Sequence, residues 1–144
     1  MTAATNAPVP ESDRRRRSTV RGTAEVLAVA VVATVVLALL LGALVDASSE
    51  FLPLQAGPAA VATAVGVLAG LGILLLLRRL GRGRLFVPLV VVGTLLSLAG
   101  PVGLLGATAA EQPGVTDSAA LALIPLHLLV GAVVAFLLPR RVQP

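Results

Sequence analysis

The sequence predicts an all-α polytopic membrane protein, a bundle of four transmembrane helices built as two antiparallel hairpins, and three observations lead there. Hydrophobic side chains make up 57% of the 144 residues and charged ones only 12%, about half the charge of a soluble domain. Four apolar runs, at about 24–45, 58–77, 85–107 and 119–138, are each long enough to cross a hydrocarbon core. The charges between them alternate in sign from one connection to the next.

Residues 1–22 combine proline, threonine and charge with no apolar periodicity, and read as a disordered basic tail. The transmembrane domain then covers 23–139. Its first span, Ala24 to Val45, has 22 residues, about 33 Å at a helical rise. Glu25 lies in its first turn, one turn after Arg21, where the helix dipole and an i,i+4 partner favour a carboxylate. An apolar run of about 20 residues is too long for a secretory signal core, so the first span is expected to be retained. DASSEFLPLQAG (46–57) is an exposed loop, and Pro58 suits the opening turn of the second span. RRLGRGR (78–84) is a tight basic turn. In the third span Pro88 falls in the first turn, whereas Pro101 should kink the helix near its far end. TAAEQPGVTDS (108–118) is a second acidic loop, Pro125 should bend the fourth span, and 140–144 form a short tail.

Charge sets the expected orientation. All eleven basic residues are arginines: Arg14, Arg15, Arg16, Arg17 and Arg21 before the first span, Arg78, Arg79, Arg82 and Arg84 after the second, Arg140 and Arg141 after the fourth. With four spans these groups share one face, and the positive-inside rule makes it cytoplasmic, with both termini there. The other loops carry Asp46, Glu50, Glu111 and Asp117 and no base. The first arginine cluster is expected to contact lipid headgroups. With no Trp or Tyr, only Phe51, Phe86 and Phe136 could supply an interfacial aromatic belt.

Helices in lipid gain nothing by hiding leucine, so their contacts are expected where small residues allow close approach and polar ones bond across. Ala30, Thr34, Ala38 and Gly42 form such a stripe on the first span, and Ala62, Gly66 and Gly70 one on the second. Gly93 and Ser97 share a face of the third, and His127, Gly131 and Ala135 one of the fourth. Ser97 and His127 each lie about 17 Å from the arginine-bearing end, so His127 is expected to hydrogen-bond Ser97, Thr94 or Thr34 in the interior. A shift of 60 positions lays VVATVVLALL (31–40) over VVGTLLSLAG (91–100), Thr34 on Thr94; in a chain this rich in Ala, Val and Leu, chance explains it.

These features exclude more than they assign. Without cysteine there is no thiol chemistry or thiolate metal site, and no cofactor is expected. The arginines sit at segment ends without interleaved aromatics, which argues against nucleic acid. Every carboxylate is in a loop, the tail or a first helical turn, so no enzyme constellation forms. An intramembrane ionisable residue is a functional candidate by default, yet interhelical glue is the simpler role for His127. The expected partners are the lipid bilayer and either further copies of the chain or a larger membrane complex.

LLSLAGP (95–101) and PLHLLVGAVV (125–134), followed by a short basic tail, resemble a family of small four-helix membrane proteins of actinobacteria catalogued as a domain of unknown function. The resemblance covers roughly residues 20–141. It implies the four-span topology, an acidic residue soon after the first span, here Asp46, and a histidine in the last, here His127. It implies no activity. A structural or accessory role through helix contacts is the reading expected, with a small transporter-like or channel-forming homo-oligomer, His127 at its pathway, as the rival.

Overall fold

The computed structural model describes residues 11–108 and 110–142, and the described chain is helical throughout its regular elements. Four of its helical stretches are long and apolar enough to cross a membrane, residues 17–44, 56–79, 83–103 and 117–141.

Helix α1 runs from Glu11 to Leu44. It begins inside the segment expected to be disordered, because no proline or glycine interrupts residues 11–21 and arginine is a good helix former. Residues 1–10 lie outside the described part. The helix stops at Asp46, the one non-glycine residue with positive φ (49°) among those described. Ala47 N–H donates to Gly42 O (2.8 Å), the signature of a left-handed C-terminal turn. Aspartate tolerates that conformation better than most L-residues.

Helix α2 (Ala56–Arg79) ends in the same motif. There Gly81 (φ 68°) supplies the left-handed residue, and Arg82 N–H reaches Leu77 O at 2.7 Å. The third span is broken in two, α3 (Phe86–Ser97) and α4 (Ala99–Gly103). Pro101 has no N–H for Ser97 O and its ring crowds that carbonyl, so the break falls where the ring meets the preceding turn. The fourth span, α5 (Asp117–Phe136), is N-capped by Thr116, which accepts from Ala119 N–H (3.2 Å), and stays helical through Pro125.

A short helix, α6 (Leu138–Arg141), carries the fourth span into the first residues of the expected tail. Leu138 and Val142 are fully buried. Arg78 holds this end, its guanidinium donating to the carbonyls of Pro139 (3.1 Å) and Val142. Glu25 accepts from Arg21 (3.0 Å) and from Arg141 (3.3 Å), so the expected pair is a three-residue group joining α1 to α6. These ion pairs are exposed and contribute little. The close approach beside them matters more, since a Cβ on Gly22 would collide with the backbone carbonyl of Arg141.

Packing centres on α1 and α5. Helix α1 buries Gly22, Val26, Ala30, Thr34 and Ala38, one residue every fourth, and its contact with α2 is the most extensive in the molecule. Helix α2 answers with Ala59, Thr63, Val67, Gly70 and Leu74. The expected stripe of Ala62, Gly66 and Gly70 is therefore rotated: Ala62 is exposed and Gly66 only half-buried. Helix α5 lies against α1 and carries α3 on its other side. Burial is uneven, 39% of the apolar window in the fourth span against 11% in the third.

The buried side chains form two clusters. One, at the arginine-bearing end, joins Val26, Ala30, Val67, Leu74, Phe86, Val133, Val134, Leu138 and Val142. The other, at the acidic end, joins Ala38, Phe51, Leu54, Ala59, Ala119, Ala122, Leu123 and Leu126. Phe51 and Phe86 are thus core plugs, not interfacial anchors, and of the three phenylalanines only Phe136 is exposed. The acidic loops also pack together, with Gly114 (φ 69°) against the backbone of Phe51. Glu111 accepts from the Thr108 N–H (2.8 Å) and hydroxyl (3.0 Å), which hold its carboxyl below the ordinary carboxylate range.

Two substitutions test the arginine-end clamp. Gly22→Leu should destabilise the fold by about 1–3 kcal/mol through overpacking against α6. Gly72→Ala, where a Cβ meets nothing within 4 Å, should be neutral or better, since alanine favours the helix by up to about 1 kcal/mol. Denaturation by a graded anionic detergent in micelles, followed by circular dichroism, measures both.

Candidate functional site

Between the two buried clusters the bundle is not filled. A groove of about 720 Å³ enters there, walled by α2 and α3, floored by α5 and reaching Thr34 of α1. It exists because α2 and α3 meet near the basic turn that joins them and make few contacts beyond it. Along α2 it runs from Pro58 to Ile73, about 22 Å at a helical rise. Its walls are shaped by residues with little or no side chain, among them Ala62, Gly66, Ala69, Gly70 and Gly93.

All four intramembrane polar residues singled out above, His127, Ser97, Thr94 and Thr34, line this groove, as do Gly66, Gly70, Gly93 and Gly131. They share a space, yet none of them bonds another across helices. The imidazole Nδ1 of His127 lies 2.9 Å from Leu123 O, one turn back on its own helix. That replaces the interhelical bond expected from common depth, because a carbonyl on the same helix needs no neighbour to be positioned. Ser97 likewise donates to Thr94 O (2.7 Å). Thr94 packs its side chain onto Gly131, where a Cβ would collide with it, and this close approach seats α3 on α5. Gly70 does the same for α2, its Cα facing Val134 with only 2.6 Å available to a Cβ. Gly93 has nothing within 4 Å and serves as open wall, not as a packing contact.

The hydroxyls behave differently from one another. Thr63 and Thr23 donate to the carbonyls one turn back, Ala59 (2.8 Å) and Thr19 (2.8 Å). Thr34 does not. It is 3% exposed, and its Oγ1 is the single buried side-chain oxygen or nitrogen without a hydrogen-bond partner among the described residues. On the histidine, a carbonyl can only accept, so Nδ1 carries a proton toward Leu123, and in the uncharged ring Nε2 is an acceptor. The groove therefore offers an unpartnered buried hydroxyl and a lone pair in mostly apolar walls that also include Thr63, Thr94 and Ser97, and no charged residue lines it.

Of the arginines expected to meet lipid headgroups, Arg17 and Arg21 are exposed on the first turns of α1, while the side chains of Arg14, Arg15 and Arg16 lie outside the described part. No group of three or more potential metal ligands occurs among the described residues. The Thr34 hydroxyl could have been found in the sequence as a mid-span polar residue, and was. Its lack of a partner could not, because back-bonding depends on a rotamer chosen by neighbours.

Two outcomes separate positioning from packing here. Thr34→Val, which keeps the shape and removes an unsatisfied buried hydroxyl, should stabilise the ligand-free protein by about 1 kcal/mol. Gly131→Leu should cost about 1–3 kcal/mol by prising α3 from α5, against about 0.6 kcal/mol for His127→Leu, the usual worth of a polar bond in a membrane bundle. Unfolding midpoints of the purified variants in one detergent decide the order.

Comparison with curated proteins and with solved structures gives no match. A model described as a family of unknown function, DUF6069, matches residues 12–144. All four apolar helices, the Asp46 turn and the whole groove fall inside that stretch, and the chain belongs to the DUF6069 family of unknown function.

Proposed function

We propose that this is a multi-pass protein of an actinobacterial plasma membrane, with both termini cytoplasmic, that acts as an accessory component through helix contacts with other copies or with a larger membrane complex. The observation that carries the proposal is the bareness of the third span. With 11% of its apolar window buried, α3 packs chiefly on α5, touches α2 only slightly, and presents Val91, Val92, Leu95 and Leu96 outward. A helix so lightly packed within its own chain has most of its surface left for contacts in the membrane.

Charge supports the orientation. Arg21, Arg78 and Arg141 are tied to one end of the bundle by their hydrogen bonds, while the loops bearing Asp46, Glu50 and Glu111 pack at the other through Phe51 and Gly114. The positive-inside rule then assigns the arginine end to the cytoplasm. The carboxylates lie at the ends and the mid-bundle polar groups are one imidazole and a few hydroxyls, which supports a non-catalytic role. The rival reading, a transporter-like or channel-forming homo-oligomer, draws on His127 lining the groove while its Nδ1 bonds its own helix and not a neighbouring one.

The absence of cysteine makes the orientation directly measurable. Ser49→Cys should react with an impermeant maleimide on intact cells, and Arg140→Cys only after permeabilisation; the reverse pattern would invert the topology. For the role itself, the tagged protein is isolated from its native membrane in mild detergent and the mass and subunit composition measured. Stoichiometric foreign subunits are expected. A homo-oligomer whose pH-dependent flux in vesicles disappears with His127→Leu would replace the accessory reading by the transporter one.

A further inference from the structure

We propose that the groove between α2 and α3 is a binding site for a neutral, elongated lipid-soluble molecule carrying a hydroxyl group, such as a long-chain or isoprenoid alcohol, taken up sideways from the bilayer. This goes beyond the accessory reading and does not depend on it.

Size speaks for a small molecule. The space is about 720 Å³, within the 300–1,000 Å³ usual for small-ligand sites. A transmembrane helix laid along the same 22 Å would need about 2,000 Å³. The groove has the volume for a single chain and is too small to enclose a helix.

Chemistry narrows the class. A plain acyl chain would fill apolar walls but leave the Thr34 hydroxyl unsatisfied, and that group is 3% exposed with no partner. A buried polar group left this way costs about 1–3 kcal/mol. A charged headgroup has no counter-charge here, since no Arg, Asp or Glu lines the groove. A ligand hydroxyl matches both unfilled functions: its single O–H donates to Nε2 of His127, whose other nitrogen is occupied by Leu123 O, and its oxygen accepts from the Thr34 hydroxyl. The interruption of the core between its two clusters places both groups away from the polar ends, so the hydroxyl sits deep and the chain extends along the α2 wall.

The test uses the full-length protein in phosphatidylcholine vesicles with three photoactivatable probes of matched length: an n-alcohol, the corresponding alkane and a phosphatidylcholine labelled in its acyl chain. The alcohol should label peptides of α3 and α5 lining the groove about tenfold more than the alkane, the ratio that one satisfied buried hydroxyl supplies. Thr34→Val and His127→Leu should each bring alcohol labelling down toward the alkane level. Gly93→Leu, whose Cβ would meet no atom within 4 Å and whose side chain would occupy the groove, should abolish labelling by every probe while leaving the unfolding midpoint in place. Should Gly93→Leu fail to fold, Ala62→Leu on the facing wall, also at an exposed position, carries the same test. Equal labelling by alcohol and alkane, or preference for the phospholipid, would overturn the proposal in favour of an acyl-chain filler. Absence of labelling together with a homodimer that Gly93→Leu dissociates would overturn it in favour of a second copy.

Discussion

Everything in this bundle depends on one backbone line, the row of Gly22, Val26, Ala30, Thr34 and Ala38 along α1. In lipid, exchanging a leucine–lipid contact for a leucine–leucine contact gains almost nothing, so helices associate where small side chains let backbones come close and dispersion contacts multiply. The row supplies that surface at every fourth residue over four turns. Helix α2 and helix α5 both use it, and α3, which does not reach it, is left attached mainly to α5. The gradient of burial from fourth span to third follows from this order of attachment.

The two ends of the bundle are closed by different means. At the arginine-bearing end, Arg78 satisfies carbonyls that a terminal helix turn leaves without N–H partners, and Gly22 lets that turn lie directly on α1. A guanidinium suits this work because its planar fork addresses two carbonyls at once, which an ammonium does not. At the acidic end, Phe51 fills the space beneath the loops and glycine and aspartate in left-handed conformations turn the chain sharply enough to keep them compact. Asp46, the acidic residue after the first span, is a helix terminator by this account.

Between the closed ends the core is interrupted. The two apolar clusters stop short of each other at the level of Thr34, Thr63 and His127, and the groove enters at that level. Thr63 and the Nδ1 of His127 bond carbonyls of their own helices, which explains why polar residues at matching depth did not pull the helices together. Self-satisfied polar groups exert no demand on a neighbour. The space so created persists because Ala59, Ala62, Gly66, Ala69 and Gly70 make up much of its α2 wall and cannot fill it.

Four spans, their approximate limits, the segregation of arginine from acid and the set of polar residues at mid-depth were determined by the sequence alone, because hydropathy over about 20 residues and charge at segment ends are local properties that the bilayer reads directly. The break after Ser97 was also legible, as the local consequence of Pro101. The tertiary structure decided the rest. Which face of α2 packs, Thr63 and Val67 in place of Ala62 and Gly66, depends on rotation against α1, and a stripe of small residues at one spacing permits several rotations. Whether Gly93 packs or stays open, whether Phe51 and Phe86 anchor or plug, and whether Thr34 finds a partner are settled by what lies opposite, which no single segment encodes. The groove itself is the clearest case: it is the space left when α2 and α3, neighbours in sequence, are each drawn to a different helix.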